Sequence, residues 1–249
     1  MTHSSRENAY STSLLGDSEA SSFRRLIGRL LYLTNTRPNI VFVVHHLSQF
    51  VSFPTNDHRR VALKILFYLK NNPGRGIFIS NKGHCQIRAY SDADWAACPK
   101  TRKSIIDLLV YIGDSIVSWK TKNQITISCS SCEAEYRALA ATVCEVQWIS
   151  YVLNDLRFSH TKLVPIFCDN QSAIYIANNQ VYHERTKHIE IDCHLTREKI
   201  QSGFIKLLLV SSSLQLVDIL TKPLQPNIFS SLCSKLGVLD IYNPNLKGA

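Results

Sequence analysis

Ala89-Tyr90-Ser91-Asp92-Ala93-Asp94-Trp95 is an apolar run that ends abruptly in acid. Apolar and polar side chains alternate through residues 87–92, which predicts a β-strand with Asp92 on the face of Tyr90. Three further acids, Glu135, Asp169 and Asp218, follow within a pattern of alternating strands and helices. Carboxylates are the hard oxygen ligands that Mg²⁺ prefers, and two such ions can activate a water and stabilise a leaving oxygen in phosphodiester cleavage. The four acids therefore predict a metal site of the nuclease type.

Two glutamates lie close together at the second acid position, and helix geometry separates them. Ser130 and Glu133 match the capping box Ser-x-x-Glu at the start of a long helix. Glu135 lies four residues before Leu139 and extends the core-facing stripe, whereas Glu133 points about 200° away from Glu135 at 100° per residue. We therefore expect Glu135 to be the inward ligand and Glu133 the cap. The alternative is that Glu135 is a solvated helix carboxylate.

The other acids are placed by neighbouring strands and helices. A short apolar strand over residues 163–168 ends at Asp169, which faces the sheet edge or else caps the following helix. Residues 105–112 and 115–128 are β-rich and joined by Gly113-Asp114, a hairpin signal, so we expect three adjacent antiparallel strands. Residues 183–201 are helical in pattern, residues 204–210 form a strand, and a final helix over 214–221 carries Asp218.

The first third of the chain is helical and basic. Residues from 21 onward, 39–53 and 56–71 show amphipathic helical patterns separated by prolines, and Pro73-Gly74 ends the third helix. Residues 1–80 hold ten Lys or Arg and four Asp or Glu, within a chain of 249 residues and net charge +9. This surplus of positive charge is typical of a module that binds a phosphate backbone next to a metal site.

Eight cysteines at irregular spacing, without a signal peptide or a membrane-length apolar run, indicate reduced intracellular thiols and no membrane partner. The pair Cys129 and Cys132 has the spacing of half a zinc ligand set, with Cys193, His194, His183 and His188 downstream. Because one pair lacks a matching second pair, we favour ordinary buried thiols over a structural zinc site.

Seven short strings follow one another along the chain, in the order Tyr90-Ser91-Asp92-Ala93-Asp94-Trp95, Arg102-Lys103-Ser104, Val117-Ser118-Trp119-Lys120, Glu133-Ala134-Glu135-Tyr136, Cys168-Asp169-Asn170-Gln171-Ser172-Ala173, His183-Glu184-Arg185-Thr186-Lys187-His188-Ile189 and Asp218-Ile219-Leu220-Thr221-Lys222-Pro223. In this order they resemble the ribonuclease H domain of the Pol polyprotein of copia-type LTR retrotransposons. The helical lead contains Tyr32-Leu33-Thr34, Thr36-Arg37-Pro38 and Tyr68-Leu69-Lys70, and it resembles the end of the reverse transcriptase of the same family. The resemblance covers about residues 20–237.

The resemblance implies an α/β protein with a ribonuclease H-like fold, a five-stranded mixed sheet flanked by helices and preceded by a small helical segment. It implies a flexible lead over 1–18, a reverse transcriptase remnant over 19–75, the ribonuclease H-like domain over 84–224 and a C-terminal tail over 225–249. The partners would be an RNA–DNA hybrid and the upstream reverse transcriptase domains, inside the cell in a cytoplasmic particle or the nucleus.

The same resemblance assigns the site. Asp92, Glu135, Asp169 and Asp218 match the four catalytic acids that hold two Mg²⁺ ions, with Mn²⁺ as an alternative, and Asp94 is the runner-up for the first position. The basic residues expected to contact the substrate backbone are Arg102, Lys103, Arg185 and Lys187.

The chain also departs from the family pattern. Ala97 and Cys98 replace a glycine and an acid, and residues 105–108, Ile-Ile-Asp-Leu, replace a Thr or Ser, Gly, Tyr pattern. Asp107 in this apolar strand is tolerable only if it faces solvent. The departures leave two alternatives open: an inactive relic that binds nucleic acid, and a different nuclease or transposase of the same fold.

Overall fold

The central sheet has five strands in a mixed arrangement, as expected. The computed structural model describes residues 13–80, 84–98, 101–158, 163–179 and 189–242. Strands β2 (Ile87–Asp94), β3 (Ile105–Ile112) and β4 (Ser115–Asn123) are antiparallel neighbours, whereas β5 (Val164–Cys168) and β6 (Ile205–Leu209) continue the sheet in parallel. The strand order is β4-β3-β2-β5-β6. The alternating apolar pattern of each strand gives the sheet two faces that must both be covered.

The turn between β3 and β4 follows the hairpin prediction. Gly113 has a φ of +57°, and a side chain there would meet the backbone oxygen of His84 at 2.8 Å. Glycine therefore satisfies both the left-handed conformation and the close approach at this turn.

One face of the sheet is covered by a long helix and two shorter ones. Helix α4 (Ser131–Asp155) crosses β2 and β3, with α5 (Gln171–Asn178) and α6 (Glu190–Gln201) beside it. Apolar residues of α4, such as Leu139 and Val143, pack on Ile87, Ala89 and Ile166 of the strands. This packing fixes the N-terminal turn of α4 against the end of β2.

The opposite face is covered by the C-terminal elements and by part of the helical segment. The short α7 (Asp218–Thr221) and α8 (Pro226–Lys235) lie over Leu109 and Tyr111 of β3. Strand β7 (Val238–Asp240) then pairs antiparallel with β1 (Arg75–Ile77). Val41 from the helical segment joins the same buried cluster.

The helical segment forms its own core and contacts the sheet. Helices α1 (Asp17–Leu33), α2 (Val41–Ser48) and α3 (Asn56–Asn71) bury Phe23, Ile27, Leu47 and Ile65 among them. Trp119 of β4 donates a hydrogen bond from Nε1 to the backbone oxygen of Thr34 at 2.9 Å. The helices thus pack directly on the sheet, and its division from them into separate domains stays a prediction.

Ordered elements lie at both ends of the expected domain scheme, whose boundaries stay a prediction. The predicted tail after residue 224 contains α8 and β7, because Leu232, Cys233, Leu236 and Val238 are buried against the sheet. Within the predicted flexible lead, Leu15 is buried and its N–H donates to the Pro54 oxygen, and α1 begins at Asp17.

Some helix boundaries in the structure differ from the predicted ones by a few residues. The second helix ends at Ser48 rather than at residue 53, and the final predicted helix is divided into a 3₁₀ turn (Ser212–Leu214) and α7. Among the described residues, none of the helices combines the length and apolarity needed to span a lipid bilayer.

Candidate active site

Asp92 lies near the end of the central strand, buried beneath the other acids. Its side chain is on the same face of β2 as that of Tyr90, whose ring stacks on Phe167 of β5 at 4.8 Å. The carboxylate of Asp92 is 2% exposed, and its Oδ2 has no hydrogen-bond partner. A buried carboxylate oxygen without a donor is costly unless a cation or proton satisfies it.

Glu135 reaches the same place from the first turns of α4. The helix begins at Ser130, whose side chain accepts a hydrogen bond from the Glu133 N–H at 3.2 Å. Glu135 is buried, and the Cys168 thiol donates a hydrogen bond to its Oε2 at 4.0 Å. Burial, followed by the negative charges of Asp92 and Asp169, raises the pKa of Glu135 to about 9. Without a cation, the site therefore favours the protonated acid.

Asp169 follows β5, next to Asp92 across the parallel pair. Tyr90 pairs with Phe167 in the register, so Asp92 and Asp169 each lie two residues beyond that pair. Ser212 donates a hydrogen bond to Asp169 Oδ2 at 3.1 Å. Ligand atoms of Glu135, Cys168 and Asp169 lie within 4.8 Å of one another, and this is the one such group of three or more His, Cys, Asp or Glu residues found across the described ranges.

Asp218 joins the cluster from the start of α7 and is held by a lysine. Lys222 Nζ lies 2.7 Å from Asp218 Oδ1 and 3.6 Å from Asp92 Oδ2. Burial raises the pKa of Asp218, and Asp92 and Asp169 add to that shift, while Lys222 opposes it. Burial by itself would lower the pKa of Lys222, but its hydrogen bond to Asp218 and the surrounding carboxylates raise it. The ammonium is thus held firmly charged.

The structure brings the four predicted acids together at one edge of the sheet. Glu135 lies close to Asp169, Lys222 links Asp92 to Asp218, and Asp92 is near enough to Glu135 to raise its pKa. Residues next to the acids make the hydrogen bonds at the starts of α4 and α5. Glu133 accepts hydrogen bonds from the Cys129 N–H and from Arg137, and Asn170 caps α5 by accepting from the Ala173 N–H.

The donor set fits a hard divalent cation. The four acids supply carboxylate oxygens, as Mg²⁺ and Mn²⁺ require, and one of those oxygens is buried without a partner. A positive charge already lies among them in the form of the Lys222 ammonium. Bound divalent ions would be held by Asp92, Glu135, Asp169 and Asp218.

Asp107 is placed differently from the expectation. It is fully buried rather than solvent-facing, and it pairs with Asp92 across β2 and β3. Thr121 donates a hydrogen bond to Asp107 Oδ1, which makes the burial tolerable, whereas Oδ2 has no partner. Burial raises the pKa of Asp107 well above its ordinary value, and Asp92 and Asp94 add to the shift. The pKa of Asp94 is also raised by burial and by Asp92.

The predicted nucleic-acid contacts are only partly described. Arg102 is exposed and has a φ of +54° in the loop between β2 and β3, and Lys103 beside it is half-buried. Arg185 and Lys187 lie outside the described residues, so their role stays a prediction. The zinc alternative at Cys129 and Cys132 stays untested, because its candidate ligands His183 and His188 lie outside the described residues.

Comparison with known proteins identifies the relatives of this chain. No family model matches it. It is 41% identical over 238 residues to the retrovirus-related Pol polyprotein from transposon RE1 of Arabidopsis thaliana, covering 96% of this chain and 16% of that protein. The polyproteins from transposon RE2 of Arabidopsis thaliana and TNT 1-94 of Nicotiana tabacum are 39% and 34% identical, over 90% and 84% of this chain. The chain belongs to the copia-type Pol polyproteins.

This chain spans about one sixth of the length of these Pol polyproteins. Solved structures similar to it include the N-terminal RNase H domain of a Mycobacterium tuberculosis protein, at 11% identity and a TM-score of 0.41, covering 60% of this chain and 97% of that one. RNase H1 of Halobacterium salinarum has 17% identity and a TM-score of 0.37, covering 53% and 90%. Independently of these likenesses, the segment is an α/β protein with a five-stranded mixed sheet flanked by helices.

Sequence reasoning missed three residues that contact the acids. Lys222 lies four residues after Asp218, a spacing at which opposite charges pair on a helix, so this signal was present. Ser212 and Thr121 reach Asp169 and Asp107 from other parts of the chain. No local pattern marks such contacts, because they depend on how distant segments meet.

Proposed function

We propose that this Pol segment is a divalent-metal-dependent endoribonuclease that hydrolyses the RNA strand of RNA–DNA hybrids. The observation that supports this function best is the convergence of Asp92, Glu135, Asp169 and Asp218 around a buried carboxylate oxygen without a donor. Four carboxylates from four separate elements are costly to gather unless cations compensate their charge.

The four acids hold two Mg²⁺ ions in this proposal, and Mn²⁺ can substitute for Mg²⁺. When bound, the ions activate a water and offset charge on the leaving oxygen of the phosphodiester. The protein positions the carboxylates: α4 presents Glu135, the ends of β2 and β5 present Asp92 and Asp169, and α7 presents Asp218. Ser212 orients the Asp169 carboxylate through its hydrogen bond.

The hybrid is recognised by its shape and by the 2′-hydroxyl groups rather than by base sequence. Arg102 and Lys103 lie in the loop between β2 and β3, and together with Arg185 and Lys187 they would supply positive charge for the phosphate backbone. The basic helical segment would add further contacts to the phosphate backbone. The upstream reverse transcriptase domains of the polyprotein would be a partner of this segment. The proposed setting for this activity is inside the cell, in a cytoplasmic particle or the nucleus.

A hybrid-cleavage assay tests the proposal. The wild-type protein and D92N are incubated with a hybrid labelled on the RNA strand, in the presence of Mg²⁺. We expect D92N to cleave more than about 100-fold more slowly, since it loses one of the carboxylates that would hold the metal ions. D114N is the matched control, because Asp114 is 81% exposed in the β3–β4 turn and lies outside the acid cluster.

The outcome also separates the alternatives. Equal signal from the wild type and D92N would contradict catalysis by this site. Hybrid binding without any cleavage would indicate an inactive nucleic-acid-binding relic. Cleavage of duplex DNA as fast as that of the hybrid would indicate a different nuclease of the same fold.

A further inference from the structure

Lys222 occupies the space between two of the acids. It is the residue after the last turn of α7, and its ammonium lies 2.7 Å from Asp218 Oδ1 and 3.6 Å from Asp92 Oδ2. The second of these oxygens is the buried one that accepts no hydrogen bond. One positive charge therefore compensates carboxylates from two different elements.

We propose that Lys222 is a placeholder cation, which holds the acid cluster together without metal and gives way when a divalent ion enters. This inference rests on the proposed function, since it assumes that Asp92 and Asp218 are metal ligands. An ammonium and a divalent cation both neutralise carboxylates, so they cannot share the same short contacts without mutual repulsion. Lys222 and the metal must compete for Asp92 and Asp218.

The lysine has a route out of the cluster. Its side chain is 42% exposed, and Lys222 follows the four-residue helix α7 in an extended conformation. It also lines a cleft of about 220 Å³ between α2 and the sheet, together with Asp94, Thr121, His45 and His46. A rotation of the flexible lysine side chain would move the ammonium from the acids into this cleft.

The chain offers a matched control for the loss of an ion pair. Lys120 contacts Glu145, whose side chain is also nearly buried, and Lys120 itself is half exposed like Lys222. The pair between Lys120 and Glu145 joins β4 to α4, and Glu145 is not one of the four acids. K120M therefore reports the effect of removing a lysine from a buried carboxylate without touching the proposed metal ligands.

Thermal unfolding with and without metal tests the proposal. In EDTA we expect K222M and K120M each to unfold roughly 4–8 °C below the wild type, because each leaves a buried carboxylate without its partner. At saturating Mg²⁺ the deficit of K222M should vanish, because the divalent ion supplies the missing charge, whereas the deficit of K120M should persist. The Mg²⁺ concentration at half-maximal stabilisation should be at least about 5-fold lower for K222M than for the wild type. K222R, which keeps the charge, should not lower it.

Several outcomes would overturn the inference. A K222M deficit that persists in Mg²⁺ as fully as that of K120M would show that Lys222 has only a structural role. An unchanged or higher Mg²⁺ midpoint in K222M would show that lysine and metal do not compete. If K222M is unfolded in EDTA, Mg²⁺ must restore the folded circular-dichroism signal, and failure to do so contradicts the proposal.

A different result would contradict the proposed function itself. A wild-type protein whose unfolding temperature does not respond to Mg²⁺ or Mn²⁺ contradicts the metal site itself and the competition with it. In that case the EDTA comparison still decides whether Lys222 holds the acids together, since a K222M protein as stable as the wild type would overturn that role too.

Discussion

Asp107 is a further acid at the candidate site, and its protonation state depends on its burial. It lies directly across from Asp92, and the structure buries it completely. Thr121 satisfies one carboxylate oxygen and leaves the other without a partner. Burial and the neighbouring acids therefore favour the protonated form of Asp107.

We expect D107N to be more stable than the wild type at high pH. An acid whose pKa is raised on folding destabilises the folded state as the pH rises from its ordinary value, near 3.8, towards its raised value. The amide oxygen of D107N can still accept the Thr121 hydrogen bond. Urea unfolding in EDTA should show a gain of about 1–2 kcal/mol at pH 8 that disappears near pH 4.

The exposed Asp114 provides the control for this measurement. D114N should stay within about 0.5 kcal/mol of the wild type at both pH values, since Asp114 is 81% exposed. A D107N protein that is less stable than the wild type at pH 8 would show that a charged Asp107 is stabilised by a partner in the fold.

At the scale of elements, the start of α4 determines where Glu135 lies. Ser130 caps the helix through the Glu133 N–H, and Glu135 follows within the first turns. S130A should lower the free energy of unfolding by about 1 kcal/mol, as measured by urea denaturation. S131A alters the adjacent exposed serine and should be nearly neutral. Equal losses in the two variants would contradict the capping role.

The C-terminal elements are part of the fold rather than a tail. Leu236 directly follows α8 and is 1% exposed, in a cluster with Leu109, Tyr111 and Leu220. L236A should cost about 2–5 kcal/mol in urea denaturation, because it leaves a cavity in this cluster. I241A is the control, since Ile241 is 73% exposed and should cost little. An L236A cost as small as that of I241A would indicate a detached segment.

These elements also show what the sequence reveals and what it does not. The period-two pattern around Asp92, the Gly113 turn and the Ser130 cap were readable because local geometry determines them. The segment with α8 and β7 was missed because its burial depends on Leu109 and Tyr111, which are distant in the chain. The buried Asp107 was misjudged for the same reason, since Thr121 comes from the neighbouring strand.

At the scale of the whole molecule, the helical segment and the sheet pack together near the acid cluster. The helical segment packs on the face of the sheet that carries α7, with Trp119 bonded to the backbone of Thr34. The cleft between α2 and the sheet reaches Lys222 and Asp94. The basic helical segment and the acid cluster therefore lie on one packed body. The proposed binding of an anionic duplex beside a metal site needs this arrangement.

Binding of Mn²⁺, followed by electron paramagnetic resonance, tests the central claim most directly. The claim is that four carboxylates from distant parts of the chain form one divalent-metal site. The wild type should bind Mn²⁺, and D92N, E135Q, D169N and D218N should each lose at least about 10-fold in affinity, whereas D114N should bind as the wild type does. Mn²⁺ affinity that is unchanged in D92N and E135Q would contradict the account.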